Sequence, residues 1–281
     1  MTANLTTHDL LAQGVSRLAG RSESPALDAE LLLAHALRQH RSRLKSHPED
    51  VPEPAASRGY VDLIERRAQG EPLAYIVGYK HFWTLQLAVT PAVLVPRPET
   101  ELLVERALSL RPQATGSVVD LGTGSGAIAL ALASERPQWH VTATDVSAEA
   151  LAVARANAVR LALANVEFVA GSWLAPLAGR QFDLIVSNPP YIGADEPEMR
   201  TPALRHEPRG ALSPGANALA CLNAIIHSAP AHLEPGGWLL LEHGASQATD
   251  VARELVARGF RHVRSHRDLA GHERMTEAQR G

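Results

Sequence analysis

Ser117-Val118-Val119-Asp120-Leu121-Gly122-Thr123-Gly124-Ser125-Gly126-Ala127 is the stretch on which the fold turns. Residues 117–121 read as a buried strand, the glycines as a tight turn, and residues 124–134 as the helix that follows. The same alternation continues downstream. Residues 141–144 read as a second strand, and Ser147 caps an Ala-rich helix reaching about residue 163. Residues 166–169 and 183–187 read as further strands. Residues 218–233 read as a helix, 238–242 as a strand and 245–258 as a last helix. Strands alternating with helices imply a mostly parallel sheet covered on both faces, an α/β fold of Rossmann-like type.

Upstream, residues 1–75 read as a small helical bundle. Ser24 followed by Pro25 predicts a helix start, with the serine hydroxyl as cap, and Leu27, Leu31, Ala34 and Leu37 repeat at helical spacing. Pro52 and Pro54 mark a connection before another helix over 60–68. Residues 76–100 read as a hairpin bridging two domains, with Tyr75, Ile76, Val77, Phe82, Trp83, Leu85, Leu87, Val89 and Val93 to Val95 as strand-like positions. Pro98 stands near the first turn of the next helix. The expected division is therefore 1–75 as a helical domain that recognises substrate, 76–100 as the linking hairpin and 101–281 as the catalytic domain.

Glycines between a first strand and its helix let the backbone approach a ligand that a side chain would block. Asp145 ends the next strand, where a carboxylate accepts hydrogen bonds from ribose hydroxyls, so a nucleoside-containing ligand fits. Gly122, Gly124 and Ala127 also satisfy the dinucleotide pattern, and the loop by itself admits either a nicotinamide cofactor or S-adenosylmethionine. Asp120 tilts the choice modestly: a carboxylate suits a sulfonium and an amino group and is unwelcome beside a pyrophosphate.

Asp183-Leu184-Ile185-Val186-Ser187-Asn188-Pro189-Pro190-Tyr191 is the most specific chemical signal. In an open α/β sheet ligands bind beyond the carboxyl ends of the strands, so Asn188 to Tyr191 stand beside the cofactor. Pro189 and Pro190 have no N–H groups and leave carbonyls as acceptors. The Asn188 side-chain oxygen adds another, and Tyr191 offers a flat face for a planar amide or base. Acceptors on both hydrogens of an NH2 group localise density on its nitrogen, and positioning and electrostatics then provide most of the catalysis.

The 281 residues carry a net charge of -3, with 45% hydrophobic and 20% charged residues, a globular balance without the basic excess of a nucleic-acid binder. Nucleic acid is thus not the expected partner. Residues 1–10 lack the basic start and apolar run of a secretion signal, and no apolar stretch is long enough to span a bilayer. A cytoplasmic protein without membrane contact is expected. The lone Cys221 reads as a small buried hydrophobe, and the 13 histidines show no metal-ligand spacing, so no metal is expected.

On these motifs the chain resembles the release factor glutamine methyltransferases of the PrmC/HemK type, within the class I S-adenosylmethionine-dependent methyltransferases. The likeness spans nearly the whole sequence. It rests on Leu27-Asp28-Ala29-Glu30-Leu31-Leu32-Leu33-Ala34-His35, Gly70-Glu71-Pro72-Leu73-Ala74-Tyr75-Ile76-Val77-Gly78 and Val95-Pro96-Arg97-Pro98-Glu99-Thr100-Glu101. The glycine loop, Ser187-Asn188-Pro189-Pro190-Tyr191, Glu207-Pro208 with Ala211-Leu212, and Leu240-Leu241-Glu242-His243-Gly244 complete it.

The resemblance implies methyl transfer to the glutamine N5 of the Gly-Gly-Gln motif in peptide chain release factors, and a chain expected to act as a monomer. It implies that Gly122, Thr123, Gly124, Ser125 and Gly126 hold the methionine end of S-adenosylmethionine, Asp145 the ribose, and that Trp173 packs near the adenine. Asn188 would touch cofactor and substrate, with Pro189, Pro190 and Tyr191 binding the glutamine and Asn188, Pro189 and Tyr191 serving catalysis. Ser172 stands where many relatives carry Asp. A glutamine methyltransferase of a ribosomal protein, or an adenine or guanine amino methyltransferase, shares the tetrapeptide chemistry. A nicotinamide-dependent oxidoreductase is the alternative of a different class.

Overall fold

Neighbouring residues of single strands enter two different cores, and this organises the fold. The computed structural model describes residues 5–281; residues 1–4, at the start of the expected helical domain, lie outside that range. Two compact units emerge. One ends at Gly78 and takes in Thr201–His206; the other comprises Tyr79–Arg200 and Glu207–Gly281.

The first unit contains α1 (Thr7–Leu18), α2 (Pro25–Leu37), α3 (Arg41–Ser46), α4 (Pro54–Ala68) and α5 (Leu73–Val77). Leu10, Leu18, Leu32, Leu33, Tyr60 and Ile64 form its core. Pro25 opens α2 as expected, but the Ser24 side chain makes no cap bond. The Ser22 hydroxyl instead donates to Asp28 at 2.7 Å and accepts from the Ser24 amide. Tyr75, Ile76 and Val77, expected in a strand, belong to helix α5. Pro72 precedes that helix and Gly78, at φ 84°, ends it, so Ile76 joins the helical core. A run of five apolar-rich residues does not by itself distinguish a strand from a helical turn; the flanking punctuation decides.

The second unit begins with the hairpin of β1 (Tyr79–Phe82) and β2 (Leu85–Ala88). Val93 to Val95, expected as strand-like, lie outside any strand. A 3-10 turn at Pro98–Thr100 leads into α6 (Glu101–Leu110). Then come β3 (Gly116–Leu121), α7 (Ala127–Glu135), β4 (Trp139–Asp145), α8 (Ala148–Arg160), β5 (Val166–Ala170) and β6 (Phe182–Ser187). They are followed by α9 (Arg209–Leu212), α10 (Ala220–His232), β7 (Leu233–Glu242), α11 (Ala248–Ala257), β8 (Arg261–Arg267) and β9 (Glu273–Gln279). Ser147 caps α8 as its position predicts, accepting from the Ala150 amide at 3.1 Å. Helix α7 starts at Ala127 rather than residue 124, because Gly122, Gly124 and Gly126 all lie at positive φ and cannot continue a helix.

The seven-stranded sheet has the order β5-β4-β3-β6-β7-β9-β8. All pairs from β5 to β7 are parallel, and β9 alone runs against its neighbours. The last two strands are absent from the sequence reading. Side chains on a strand alternate between faces. Val118, Leu184, Val186 and Leu240 pack with α6, α7 and the hairpin, whereas Val119, Ile185, Leu239 and Leu241 pack with α10 and α11. The strand order reverses between β3 and β6, which opens a crevice at their carboxyl ends.

Candidate active site

Register brings the two sequence motifs together. Leu121 and Ser187 are paired residues at the ends of β3 and β6, and the Ser187 hydroxyl donates to the Leu121 carbonyl at 2.7 Å. The next residues, Gly122 and Asn188, therefore emerge side by side. Both line a cavity of ≈ 430 Å³ together with Gly124, Asp145, Trp173 and Pro190. That volume suits a drug-sized or nucleoside-sized ligand.

The glycine loop is held from below. The Gly122 and Thr123 amides donate to the Thr144 carbonyl, each at 2.9 Å. Gly122 has φ 71°, and a Cβ there would stand 3.2 Å from the Trp173 ring. Gly126 has φ 86°, and a Cβ there would meet Leu130 Cδ1 at 2.9 Å. Asp120 is fully buried beneath the loop and accepts from Thr123 Oγ1 at 2.6 Å and from the Ala129 amide at 3.2 Å. Burial pushes its carboxyl up to about 7, partly offset by those two hydrogen bonds. Its Oδ1 has no hydrogen-bond partner. Asp120 thus holds the loop from beneath.

Asp145 ends β4 with one oxygen on each side. Oδ2 accepts from the Gly124 amide and Oδ1 from the Ser147 amide, both at 2.9 Å. Each oxygen keeps lone pairs for a further donor, and the residue lines the cavity. Trp173, at φ 49°, also lines it, packs against the α10 and α11 core, and accepts from Thr144 Oγ1 at its carbonyl.

Asn188 donates through Nδ2 to Thr100 Oγ1 at 3.0 Å. Thr100 donates to Glu242 Oε2 at 2.7 Å, and Tyr191 donates its hydroxyl to Glu242 Oε1 at 3.1 Å. Glu242 is buried at 1% exposure. Burial raises its carboxyl to about 7 against the lowering by Thr100, Tyr191 and Arg274. The Tyr191 hydroxyl is pushed well up by burial and by the neighbouring Glu242 charge. The Tyr191 carbonyl accepts from Gln247 Nε2 at 2.8 Å. Pro189 is buried, and neither Pro189 nor Tyr191 lines the cavity, whereas Asn188 and Pro190 do.

Sequence reading missed several lining residues. Residues 91–94, after the hairpin, form one wall, and Pro208, Ala211 and Cys221 contribute to another. Pro208 and Ala211 lie in segments quoted for the family likeness; residues 91–94 carry no motif. Cys221 is half-buried at the cavity instead of sealed in the core, and burial raises its thiol, keeping it neutral. Glu207 accepts from the Val95 amide at 3.1 Å and pairs with Arg97 at 2.5 Å, fixing the segment behind that wall. His243 is buried between Thr276 Oγ1 and the Gly244 carbonyl, and burial holds it below the ordinary imidazole range. Among the described residues no group of three or more His, Cys, Asp or Glu is arranged to hold a metal ion.

A seven-stranded, mostly parallel sheet whose order reverses between β3 and β6, with β9 antiparallel between β7 and β8 and a glycine loop at the end of β3, has the fold of a class I methyltransferase. The methyltransferase small domain profile matches residues 98–215, and the PrmC N-terminal domain profile matches residues 9–78. A solved Thermus thermophilus 16S rRNA N2 methyltransferase, RsmC, in complex with AdoMet and guanosine superposes with a TM-score of 0.55 at 20% identity. It covers 72% of this chain and 50% of that one, a likeness of fold. A release factor glutamine methyltransferase of Vibrio cholerae is 48% identical over 259 residues, 92% of this chain and 91% of that protein. One of Pseudomonas aeruginosa is 50% identical over 258 residues, 92% and 94% of the two chains. The chain belongs to the release factor glutamine methyltransferase family.

Proposed function

We propose that this protein transfers a methyl group from S-adenosylmethionine to the side-chain amide N5 of the glutamine in the Gly-Gly-Gln motif of peptide chain release factors, and so modulates translation termination. The observation that carries the reading is the meeting of Asn188 and the glycine loop in one cavity, in a chain close to half identical to release factor glutamine methyltransferases.

The residues suit the cofactor. Gly122 and Gly124 put backbone on the cavity wall where a side chain would intrude, and Asp145 has lone pairs for ribose hydroxyls. Gly122 to Gly126 would hold its methionine end, Asp145 the ribose and Trp173 the adenine. When bound, S-adenosylmethionine supplies an electrophilic methyl group on a sulfonium.

The chain's own residues handle the amide. An amide nitrogen is a poor nucleophile because its lone pair is delocalised. Asn188 Oδ1, turned away from Thr100, accepts one hydrogen of the substrate NH2 group. Carbonyls of the Asn-Pro-Pro segment accept the other, and no proline N–H competes. Both contacts strengthen as the nitrogen gives its lone pair to the methyl group, the carbon–sulfur bond breaks and positive charge develops on nitrogen, which then sheds a proton. They therefore act on the barrier more than on binding. Residues 91–94 line one wall of the cavity.

The test is incubation of the protein with isotopically labelled S-adenosylmethionine and a purified release factor, followed by mapping of the label. Label on the Gly-Gly-Gln glutamine supports the reading. Label on a ribosomal protein or a nucleic acid, with the release factor unmodified, rejects it.

A further inference from the structure

Thr100 stands at the start of α6, where a threonine hydroxyl ordinarily accepts a hydrogen bond from a helix amide. It makes no such bond. Its hydroxyl donates to Glu242 Oε2 at 2.7 Å instead. A hydroxyl has one hydrogen, so with that hydrogen committed the Thr100 oxygen offers only lone pairs to its other neighbour, the Asn188 side chain at 3.0 Å. That neighbour must then be the NH2 end of Asn188. With Glu242 Oε2 as acceptor, donation runs from Asn188 through Thr100 to Glu242, and the Asn188 oxygen is left pointing away from Thr100. Thr100 is 4% exposed and Glu242 1%, so water does not compete along this chain. The second Glu242 oxygen takes the Tyr191 hydroxyl at 3.1 Å, and one carboxyl group anchors both ends of the Asn-Pro-Pro-Tyr segment.

The oxygen and NH2 ends of an asparagine have nearly the same shape, so packing alone does not choose between them. A turned-over Asn188 would present N–H groups to the NH2 group of a substrate amide, a repulsion in place of an attraction. We propose that Thr100, anchored on Glu242, is a positioning residue that locks the Asn188 amide with its oxygen toward the substrate nitrogen. This rests on the reading of Asn188 as the acceptor for the glutamine amide.

The experiment is a double-mutant cycle in the full-length protein with a release factor substrate. Thr100→Val keeps the shape and removes the hydroxyl; Thr100→Ser keeps the hydroxyl. In the wild-type background Thr100→Val should lower kcat on the order of 10-fold to 100-fold, as expected for an orphaned hydrogen bond. Its S-adenosylmethionine affinity, by calorimetry, should stay within about threefold of wild type, because the lost bond lies on the substrate side. Thr100→Ser should restore kcat to within about threefold of wild type. In the Asn188→Ala background, Thr100→Val should change kcat by less than roughly twofold, because a residue acting only through Asn188 has nothing left to position. Equal losses in both backgrounds, or wild-type kcat in Thr100→Val, would overturn the proposal. Should Thr100→Val not fold, Thr100→Ala carries the same cycle without added bulk. Wild-type protein that leaves the release factor glutamine unmodified would reject the function itself and is read separately in the same assay.

Discussion

Asp145 is hydrogen-bonded on both oxygens within the fold, and this changes what its loss should do. Asp145→Ala removes the acceptors proposed for the ribose hydroxyls and also the bond that holds the Gly124 amide at 2.9 Å. Each charge-assisted bond is worth roughly 1.5–3 kcal/mol. Calorimetry should show S-adenosylmethionine affinity falling by about tenfold or more; unchanged affinity would remove Asp145 from the site. Much of this was legible in the sequence, because a carboxylate at the end of the second strand follows from spacing. The part that was not legible concerns partners distant along the chain. Nothing around Asn188 signals Thr100, 88 residues away, or Glu242, 54 residues beyond it. The Glu242 stretch and the Thr100 stretch were visible as family-like segments, yet their joint work needs the fold to bring β7 and the start of α6 together.

At the scale of elements, the hairpin is tied to the glycine loop by one buried side chain. Asn157, on α8, accepts from the Ala88 amide at 2.7 Å and donates to the carbonyls of Ala88 and Ser125, each at 3.0 Å. Asn157→Ala leaves buried backbone groups of β2 and the loop unpaired, which costs about 1–3 kcal/mol per orphaned group. The thermal midpoint should drop by several degrees, roughly in line with ~2–4 °C per kcal/mol for a unit of this size. An unchanged midpoint would refute the tie. No local pattern marks Asn157, since an asparagine in an Ala-rich helix reads as a surface residue. The β8 and β9 strands were missed for a related reason. Arg261-His262-Val263-Arg264-Ser265-His266-Arg267 has one large apolar residue and no apolar/polar alternation. It is the outer edge strand, where exposed charges discourage pairing with other chains, and that role erases the strand signal. The parallel inner strands β3, β4, β6 and β7 read as apolar runs, whereas β9, also inside the sheet, carries Glu273, Arg274, Thr276, Glu277 and Gln279 and shows no such run.

For the molecule as a whole, pH and division into units give two expectations. Asp120 and Glu242 both have carboxyls raised to about 7 by burial, from ordinary values of 3.8 and 4.5. The folded state therefore holds these protons more tightly than the unfolded chain does. Their contribution to stability is complete below about pH 4 and is lost as pH rises through 7. Glu242→Gln removes one of these titrations while keeping an acceptor for Thr100. Around Glu242 the charged groups Arg274 and Glu99 and the neutral Tyr191 hydroxyl are unchanged by that substitution, as is the buried His243, whose lowered value slopes stability the other way. The fall in unfolding free energy between about pH 4.5 and 7 should be shallower in Glu242→Gln than in wild type, by denaturant titration. Identical slopes would contradict the raised carboxyl. The division into units sets where a fragment should be cut. The sequence placed the hairpin as a bridge, but Phe82, Leu85 and Leu87 are buried in the same core as Val118 and Leu130. A fragment starting after the hairpin would lose that packing, whereas one starting at Tyr79 keeps the whole cavity lining, Asn157's partners and the seven-stranded sheet. We propose that the helical unit, whose helices carry no chemical motif, recognises the release factor. Fragment 79–281 should then bind S-adenosylmethionine within about tenfold of the full chain's affinity, because cofactor contacts reside in the fragment. It should methylate an intact release factor far more slowly, and the deficit should narrow on a short Gly-Gly-Gln peptide that offers no remote surface to either protein. Equal rates of fragment and full chain on the intact factor would reject the recognition role while leaving the chemistry at Asn188 in place.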